Sequence, residues 1–365
     1  MNEGCLEWRS AVIEIIDQTA LPERLQIRCL RSVCDVVEAI RGLAIRGAPA
    51  IGVCGAFGMV LGLEERRPAS VNEARAELDH LAEEIGSSRP TAANLRAAVQ
   101  RVVRAASGGG SVEEIRRLAE AEALRFQQED RESCRRISEF GRAELSWARS
   151  LLTHCNTGRL ATAGAGTALG IVYAKHAAGE PVEVFVSETR PLLQGARLTA
   201  WELRQAGIST TLLADSAAGA AMAAGLVDAV IVGCDRVAMN GDAANKIGTF
   251  TLAVVARAQG IPFYVAGPMT SFDAATKTGE GIVVEQRPGE ELRRMGVTTV
   301  APEVKVWNPA FDVTPGELIT GFVTDRAVLK PPYEESIGRE IERGDVGRLP
   351  PSPCTPPLSE TTTMV

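Results

Sequence analysis

The feature that most constrains the fold of this chain is an alternation that begins near residue 160. Short apolar runs, each closed by a glycine-rich or polar turn, give way to stretches with helical spacing and then return. Strands are expected at 160–163, 182–186, 210–213, 229–232 and 263–266, with helices at 165–178, 193–206, 216–224 and 245–259 between them. Regular βα alternation of this kind predicts an α/β fold built on a Rossmann-like, doubly wound parallel sheet. In such sheets ligands bind outside the carboxyl ends of the strands. The run Ala229-Val-Ile-Val-Gly233 ends on Cys234-Asp235-Arg236, so it carries a carboxylate to that edge. The turn beyond it, Asn240-Gly241-Asp242, leads back to Asn245-Lys246. A carboxylate and an ammonium converging there point to acid–base chemistry on a phosphorylated metabolite.

The first 150 residues read differently. Leu6–Trp8 and Val12–Ile16 alternate apolar and charged positions, as two short antiparallel strands would. From Arg31 to about Leu151 the spacing is helical. Pro49 suits the first turn of a helix running to Leu63, 71–85 has a 3.6-residue period, and Ser111-Val-Glu-Glu114 after Gly108-Gly-Gly110 reads as a capping box opening a long helix. The expected organisation is a mostly helical domain with a short β start over 1–150, a Rossmann-like domain over 151–348, and a disordered Pro-rich tail over 349–365.

Composition narrows the function. A net charge of −7 argues against a general nucleic-acid or membrane binder, which needs a basic excess. An anionic substrate therefore requires a locally basic pocket. The eight Cys include no CxxC pair and there are only three His, so no zinc site is expected. The first residues carry no basic-then-apolar leader pattern, and no apolar run looks long enough to span a bilayer. A thiol-reduced cytoplasmic protein is the expectation.

Several motifs can carry chemistry, and each also has a plainer reading. Gly164-Ala-Gly166-Thr-Ala-Leu-Gly170 follows an expected strand and opens a helix. Its GxGxxxG spacing departs from the dinucleotide fingerprint, which favours tight strand–helix packing instead. Arg46-Gly47-Ala48-Pro49 sets a guanidinium, free backbone N–H groups and a helix dipole side by side, an arrangement that binds phosphate; an ordinary Pro-started helix with a surface Arg fits the same residues. Arg89-Pro-Thr-Ala-Ala-Asn94 offers a second guanidinium, or a solvated loop Arg. Thr153-His154-Cys155-Asn156-Thr157-Gly158 presents a thiol in a polar loop before the first parallel strand, as a candidate thiolate or acid or as a semi-buried structural Cys. Cys234 is the rival thiol, but neighbouring strand residues point to opposite faces, so with Asp235 turned to the site Cys234 turns to the packing. Ser187-Glu188-Thr-Arg-Pro-Leu-Leu-Gln194-Gly195 offers Gln194 to sugar hydroxyls, or simply a capped turn.

Taken together these motifs resemble the methylthioribose-1-phosphate isomerases. That family is related to the α, β and δ regulatory subunits of the exchange factor for eukaryotic initiation factor two and to archaeal ribose-1,5-bisphosphate isomerase. The matching segments are Asp17-Gln-Thr-Ala-Leu-Pro22, Arg46 to Gly52, Arg89 to Asn94, Thr153 to Gly158, Glu188 to Gly195, Gly233 to Arg236, Gly241 to Thr249 and Asn308 to Pro315, in the family's order. The Asp-Gln-Thr-x-Leu-Pro start favours the methylthioribose branch. Cys234 departs from the pattern, which has a small residue there, and so adds a distracting thiol.

The resemblance implies that Asp235 and Cys155 are the catalytic pair. It implies that Arg46, Gly47, Ala48, Arg89, Gln194, Asn245 and Lys246 bind the substrate. It also implies conversion of 5-methylthioribose 1-phosphate to 5-methylthioribulose 1-phosphate in methionine salvage, by a homodimer that uses neither metal nor cofactor. Ribose-1,5-bisphosphate isomerase and a non-catalytic regulatory subunit are the alternatives. Enediol and hydride-transfer routes both stay open.

Overall fold

A computed structural model of the chain describes residues 4–89, 93–295, 298, 299, 301 and 303–343. Pro90, Thr91 and Ala92 of the Arg89 motif, and the Pro-rich tail, lie outside the described residues.

The chain opens with a three-stranded antiparallel sheet: β1 (Leu6–Arg9), β2 (Val12–Ile16) and β3 (Ile27–Leu30). The third strand is an addition to the two expected. Five helices follow: α1 (Val33–Arg41), α2 (Ala48–Arg66), α3 (Val71–Gly86), α4 (Ala93–Ala106) and α5 (Val112–Glu144). Ser32, Ser70 and Ser111 cap α1, α3 and α5 with their hydroxyls, each accepting from the backbone N–H three residues on. This satisfies one of the amides that a helix start leaves free. By length and hydropathy α2 passes for a membrane span, against the expectation that no such run exists. It is instead a core helix, buried without interruption from Ala50 to Leu63.

The larger sheet is formed by β4 (Ser150–Thr153), β5 (Glu183–Ser187), β6 (Ser209–Leu213), β7 (Ala229–Val232), β10 (Phe263–Ala266), β14 (Gly321–Val323) and β15 (Val328–Leu329). Its spatial order is β15-β14-β10-β7-β4-β5-β6, parallel throughout except for the edge strand β15. Period-two alternation sends successive residues to opposite faces. Leu151, Val184, Val186, Ala229 and Ile231 therefore join one core with α6 (Ala168–Ala177) and α7 (Ala200–Gln205). Leu152, Phe185, Val230 and Val232 join another with α8 (Ala218–Ala223), α9 (Thr249–Ala258) and α11 (Tyr333–Arg343). Helices on both faces make the sheet doubly wound, as expected.

Two expectations are corrected. The first parallel strand is β4, not Leu160–Ala163, where the chain makes a 3-10 turn over Arg159–Ala161. Only two leucines mark β4, and they follow so closely on α5 that they read as its end. The turn is set by a distant carboxylate, since Glu202 accepts from the amides of Arg159 and Leu160. Second, Asn245-Lys246 ends a strand rather than starting a helix. β8 (Arg236–Val237), β9 (Ala243–Lys246) and β13 (Phe311–Thr314) form a small antiparallel sheet in the order β13-β9-β8. Asp312 of β13 then caps α9 by accepting from the Gly248 and Phe250 amides at 2.7 and 3.1 Å. Between β10 and β13 lie the short α10 (Glu290–Arg293) and the β11 (Arg294–Met295)–β12 (Thr298–Thr299) pair.

Candidate active site

In the large sheet, connections from β4 run to one side through β5 and β6, and then cross to β7, β10 and β14 on the other. The order reverses between β4 and β7, and the crevice at the carboxyl ends of those two strands is where ligands bind in this architecture. Cys155 follows β4 and Asp235 follows β7. The corrected strand assignment thus moves the thiol from the entrance of a strand to its carboxyl end. Eighty residues apart in sequence, the two groups face one cavity of about 190 Å³.

All nine residues singled out in the sequence line that cavity: Arg46, Gly47, Ala48, Arg89, Cys155, Gln194, Asp235, Asn245 and Lys246. They arrive on several separate supports. Arg46 to Ala48 lead into α2, whose N-terminus has no side-chain cap, so its free amides and dipole face the cavity. Cys155 is a non-glycine residue with φ +63°. Its amide donates to Thr189 Oγ1 at 2.9 Å and its carbonyl accepts from Thr199 Oγ1 at 2.6 Å, which holds this uncommon backbone in place. Gln194 is buried, and its Oε1 has no hydrogen-bond partner among the described residues. Asn245 and Lys246 come off β9, and Asn245 Nδ2 donates to Thr249 Oγ1 at 3.0 Å.

The charges are arranged unevenly. Arg89 pairs with Glu285 at 3.2 Å, Arg287 also pairs with Glu285, and Arg236 pairs with Asp273. Arg46 and Lys246 have no carboxylate partner among the described residues. Arg46 is held by neutral acceptors on Gln18 and Asn156, and Lys246 Nζ donates to the Ala310 carbonyl at 3.0 Å and lies 4.8 Å from the centre of the Phe311 ring. Two cations with their charge unspent face the cavity, and an anion would complete them. Burial pushes the Asp235 carboxyl above the usual carboxylate range, opposed by the positive charges of Lys246, Arg89 and Arg46. Such a group can hold a proton at a pH where an exposed Asp would have lost it.

The two other candidates of the sequence act structurally. His154 is buried between Ser187 Oγ at 2.5 Å and the Ile247 carbonyl at 2.8 Å, with its pKa lowered by burial. Cys234 touches the cavity wall, but its sulfur lies against Gly267, where a Cβ would come within 2.3 Å of it, and burial pushes its thiol up to about 12. Sequence reasoning missed Glu285 and Arg287, which line the cavity, and Gln18, Asn156 and Glu202, which stand behind Arg46. Gln18 and Asn156 sat inside quoted motifs without a role; the three charged residues carry no local signature.

A model of the initiation factor 2 subunit family matches residues 44–331. The chain belongs to this family. Within it, the chain is 48% identical to the methylthioribose-1-phosphate isomerase of Pelotomaculum thermopropionicum over 91% of its length and 92% of that protein's. The crystal structure of 5-methylthioribose 1-phosphate isomerase from Pyrococcus horikoshii superposes with a TM-score of 0.88 at 40% identity, covering 93% of this chain and 96% of that one. A family member from A. fulgidus described as translation initiation factor eIF-2B, subunit delta, superposes at 0.85 with 44% identity, covering 93% and 99%. The overlaps take in the helical half and the sheet together.

Proposed function

We propose that the chain is an aldose–ketose isomerase that converts 5-methylthioribose 1-phosphate to 5-methylthioribulose 1-phosphate in methionine salvage. The observation that carries this reading is the placement of Cys155 and Asp235 just beyond the carboxyl ends of the two strands flanking the switch point, in one cavity with Arg46 and Lys246, which form no salt bridge with a carboxylate among the described residues.

A sugar phosphorylated at its anomeric oxygen has no free hemiacetal and does not open by itself. An acid must protonate the ring oxygen as its bond to C1 breaks. Asp235, whose carboxyl burial pushes above the usual carboxylate range, is that acid. A hydrogen then moves from C2 to C1, with Cys155 as the second acid–base group or as the stabiliser of developing charge. Arg46, the N-terminus of α2, Arg89 and Lys246 hold the phosphate; Gln194 and Asn245 hold the hydroxyls. Leu43, Ile51, Leu192, Ile282 and Phe311 give the same cavity apolar wall, which suits a methylthio substituent and a site that excludes water.

The reading includes a homodimer working in the cytoplasm, and a division of the chain near residue 150 into a helical and a Rossmann-like domain. Light scattering on the purified protein tests the dimer. The deciding experiment incubates the protein with methylthioribose 1-phosphate and, separately, ribose 1,5-bisphosphate, and follows ketose formation. Turnover of the first substrate is expected. Turnover of the second alone moves the assignment to a bisphosphate isomerase, and turnover of neither favours a non-catalytic regulatory subunit.

A further inference from the structure

Behind Arg46 the hydrogen bonds close into a circuit. Arg46 Nε donates to Gln18 Oε1 at 3.0 Å, and Gln18 Nε2 donates to the Leu160 carbonyl at 2.7 Å. The Leu160 amide donates to Glu202 Oε1 at 3.2 Å, and Asn156 Nδ2 donates to that same oxygen at 2.6 Å. Asn156 returns to the start: its backbone carbonyl accepts from Arg46 Nη1 and Nη2 at 3.3 and 3.2 Å, and its Oδ1 accepts from Nη2. Gln18, Asn156 and Glu202 are all buried. The segments joined are distant in sequence: the β2–β3 connection, the turn before α2, the loop after β4, and α7.

We propose that Gln18, Asn156 and Glu202 are positioning residues that fix the Arg46 guanidinium as an anion donor. The inference rests on the reading of Arg46 as a phosphate ligand given above. Of the five N–H groups of an arginine, the circuit engages Nε–H, both hydrogens of Nη2 and one of Nη1, leaving one Nη1–H for a ligand. Neutral amides do the holding, so the positive charge stays available. A carboxylate in place of Gln18 or Asn156 would compete with the substrate phosphate. Each amide also donates and accepts at once, which an ionised carboxylate cannot do. Glu202 anchors the far side. Besides Leu160 and Asn156 it accepts from the Arg159 amide at 2.8 Å and the Tyr173 hydroxyl at 3.0 Å, which pins the whole 156–160 loop. Pre-orientation of this kind saves the entropy of ordering a flexible arginine at the moment of binding.

The test uses the full chain, inorganic phosphate as the binding probe and methylthioribose 1-phosphate as the substrate. Gln18→Met and Glu202→Gln are made singly, and each in combination with Arg46→Ala. Gln18→Met is expected to weaken phosphate binding by calorimetry about tenfold, the loss of one hydrogen bond to a charged group, and Glu202→Gln to weaken it in the same direction by loosening the 156–160 loop that holds Arg46. KM should rise by a similar factor with kcat nearly unchanged, the pattern of lost ground-state binding. In the Arg46→Ala background neither substitution should weaken binding further. Losses that multiply in the double variants overturn the proposal, because Gln18 or Glu202 would then act independently of Arg46. If Glu202→Gln does not fold, Gln18→Met decides alone. Unchanged phosphate affinity in Arg46→Ala overturns both the circuit's purpose and the phosphate reading of Arg46. A wild-type protein that binds phosphate in the expected pattern but turns over no substrate counts against the assigned reaction only.

Discussion

Gly47→Ala probes the joint between the helical half and the sheet. Gly47 has φ +92° and ψ 129°, a region that side-chain-bearing residues avoid at a cost of about 1–3 kcal/mol. A Cβ there would also lie 2.5 Å from the Ala161 carbonyl oxygen and 2.6 Å from its Cα. Both are backbone atoms, so the overlap is relieved only by moving the start of α2 away from the 159–161 turn, by about half an ångström or more. Gly179 supplies the control. Its φ is +73°, yet nothing lies within 4 Å of its would-be Cβ, so Gly179→Ala should cost about 1 kcal/mol from the backbone alone. For Gly47→Ala we expect about 2–4 kcal/mol in urea unfolding, adding overlap to strain. Because the displaced segment carries Arg46 and the helix amides, KM should rise about tenfold, in keeping with the sensitivity of sites to sub-ångström misplacement. At Gly179 KM should stay at the wild-type value. Equal unfolding midpoints for the two variants, with unchanged KM in both, would refute this account of the joint.

Lys246 contributes the largest of the charges that oppose the burial of Asp235. Removing a positive charge disfavours the carboxylate, so Lys246→Met should move the corresponding limb of the kcat/KM profile to higher pH while raising KM; a downward move would contradict the assignment of that limb to Asp235. Burial raises Asp130 from 3.8 to about 6, while its carboxylate accepts from the Ala163 amide at 2.6 Å. Its neutral form suits the fold, so the folded state is favoured fully below the unfolded pKa and loses about 3 kcal/mol as pH rises through 6. Asp130→Asn keeps an acceptor for that amide and lacks the penalty. Its stability advantage over wild type should therefore grow by about that amount between pH 4 and pH 8 in denaturant titrations, and a constant gap would count against it.

Much of the candidate site's cavity lining was legible because its residues sit at strand ends and helix starts, where glycine, proline and capping residues leave local signals. Ala229–Val232 could be read as a buried strand from its composition alone, and Pro49 announced α2. What escaped was settled by partners far along the chain. β4 has two leucines to show, and its place at the centre of the sheet depends on β5 and β7 pairing on either side. β9 reads as a helix start until Phe311 and Asp312, sixty-odd residues later, pair with it and cap the true helix at Thr249. Glu202 lies on a helix with no motif around it; only the docking of the 156–160 loop onto α7 makes it an anchor. Glu285 and Arg287 are likewise ordinary charges in sequence, and the fold makes them part of a cavity wall.

The reversal of strand order at β4 and β7 has a consequence for how such a protein can diverge. In the proposed reading, the groups that would move protons are carried by the sheet, and Arg46, the start of α2 and Arg89, which would grip the anion, lie within the first ninety residues. These are separate stretches of chain, inherited together but open to separate change. On that reading, loss of Asp235 or Cys155 would remove the proton chemistry and leave the proposed anion contacts in place. Drift among the helices would retune what is held without touching the proton chemistry.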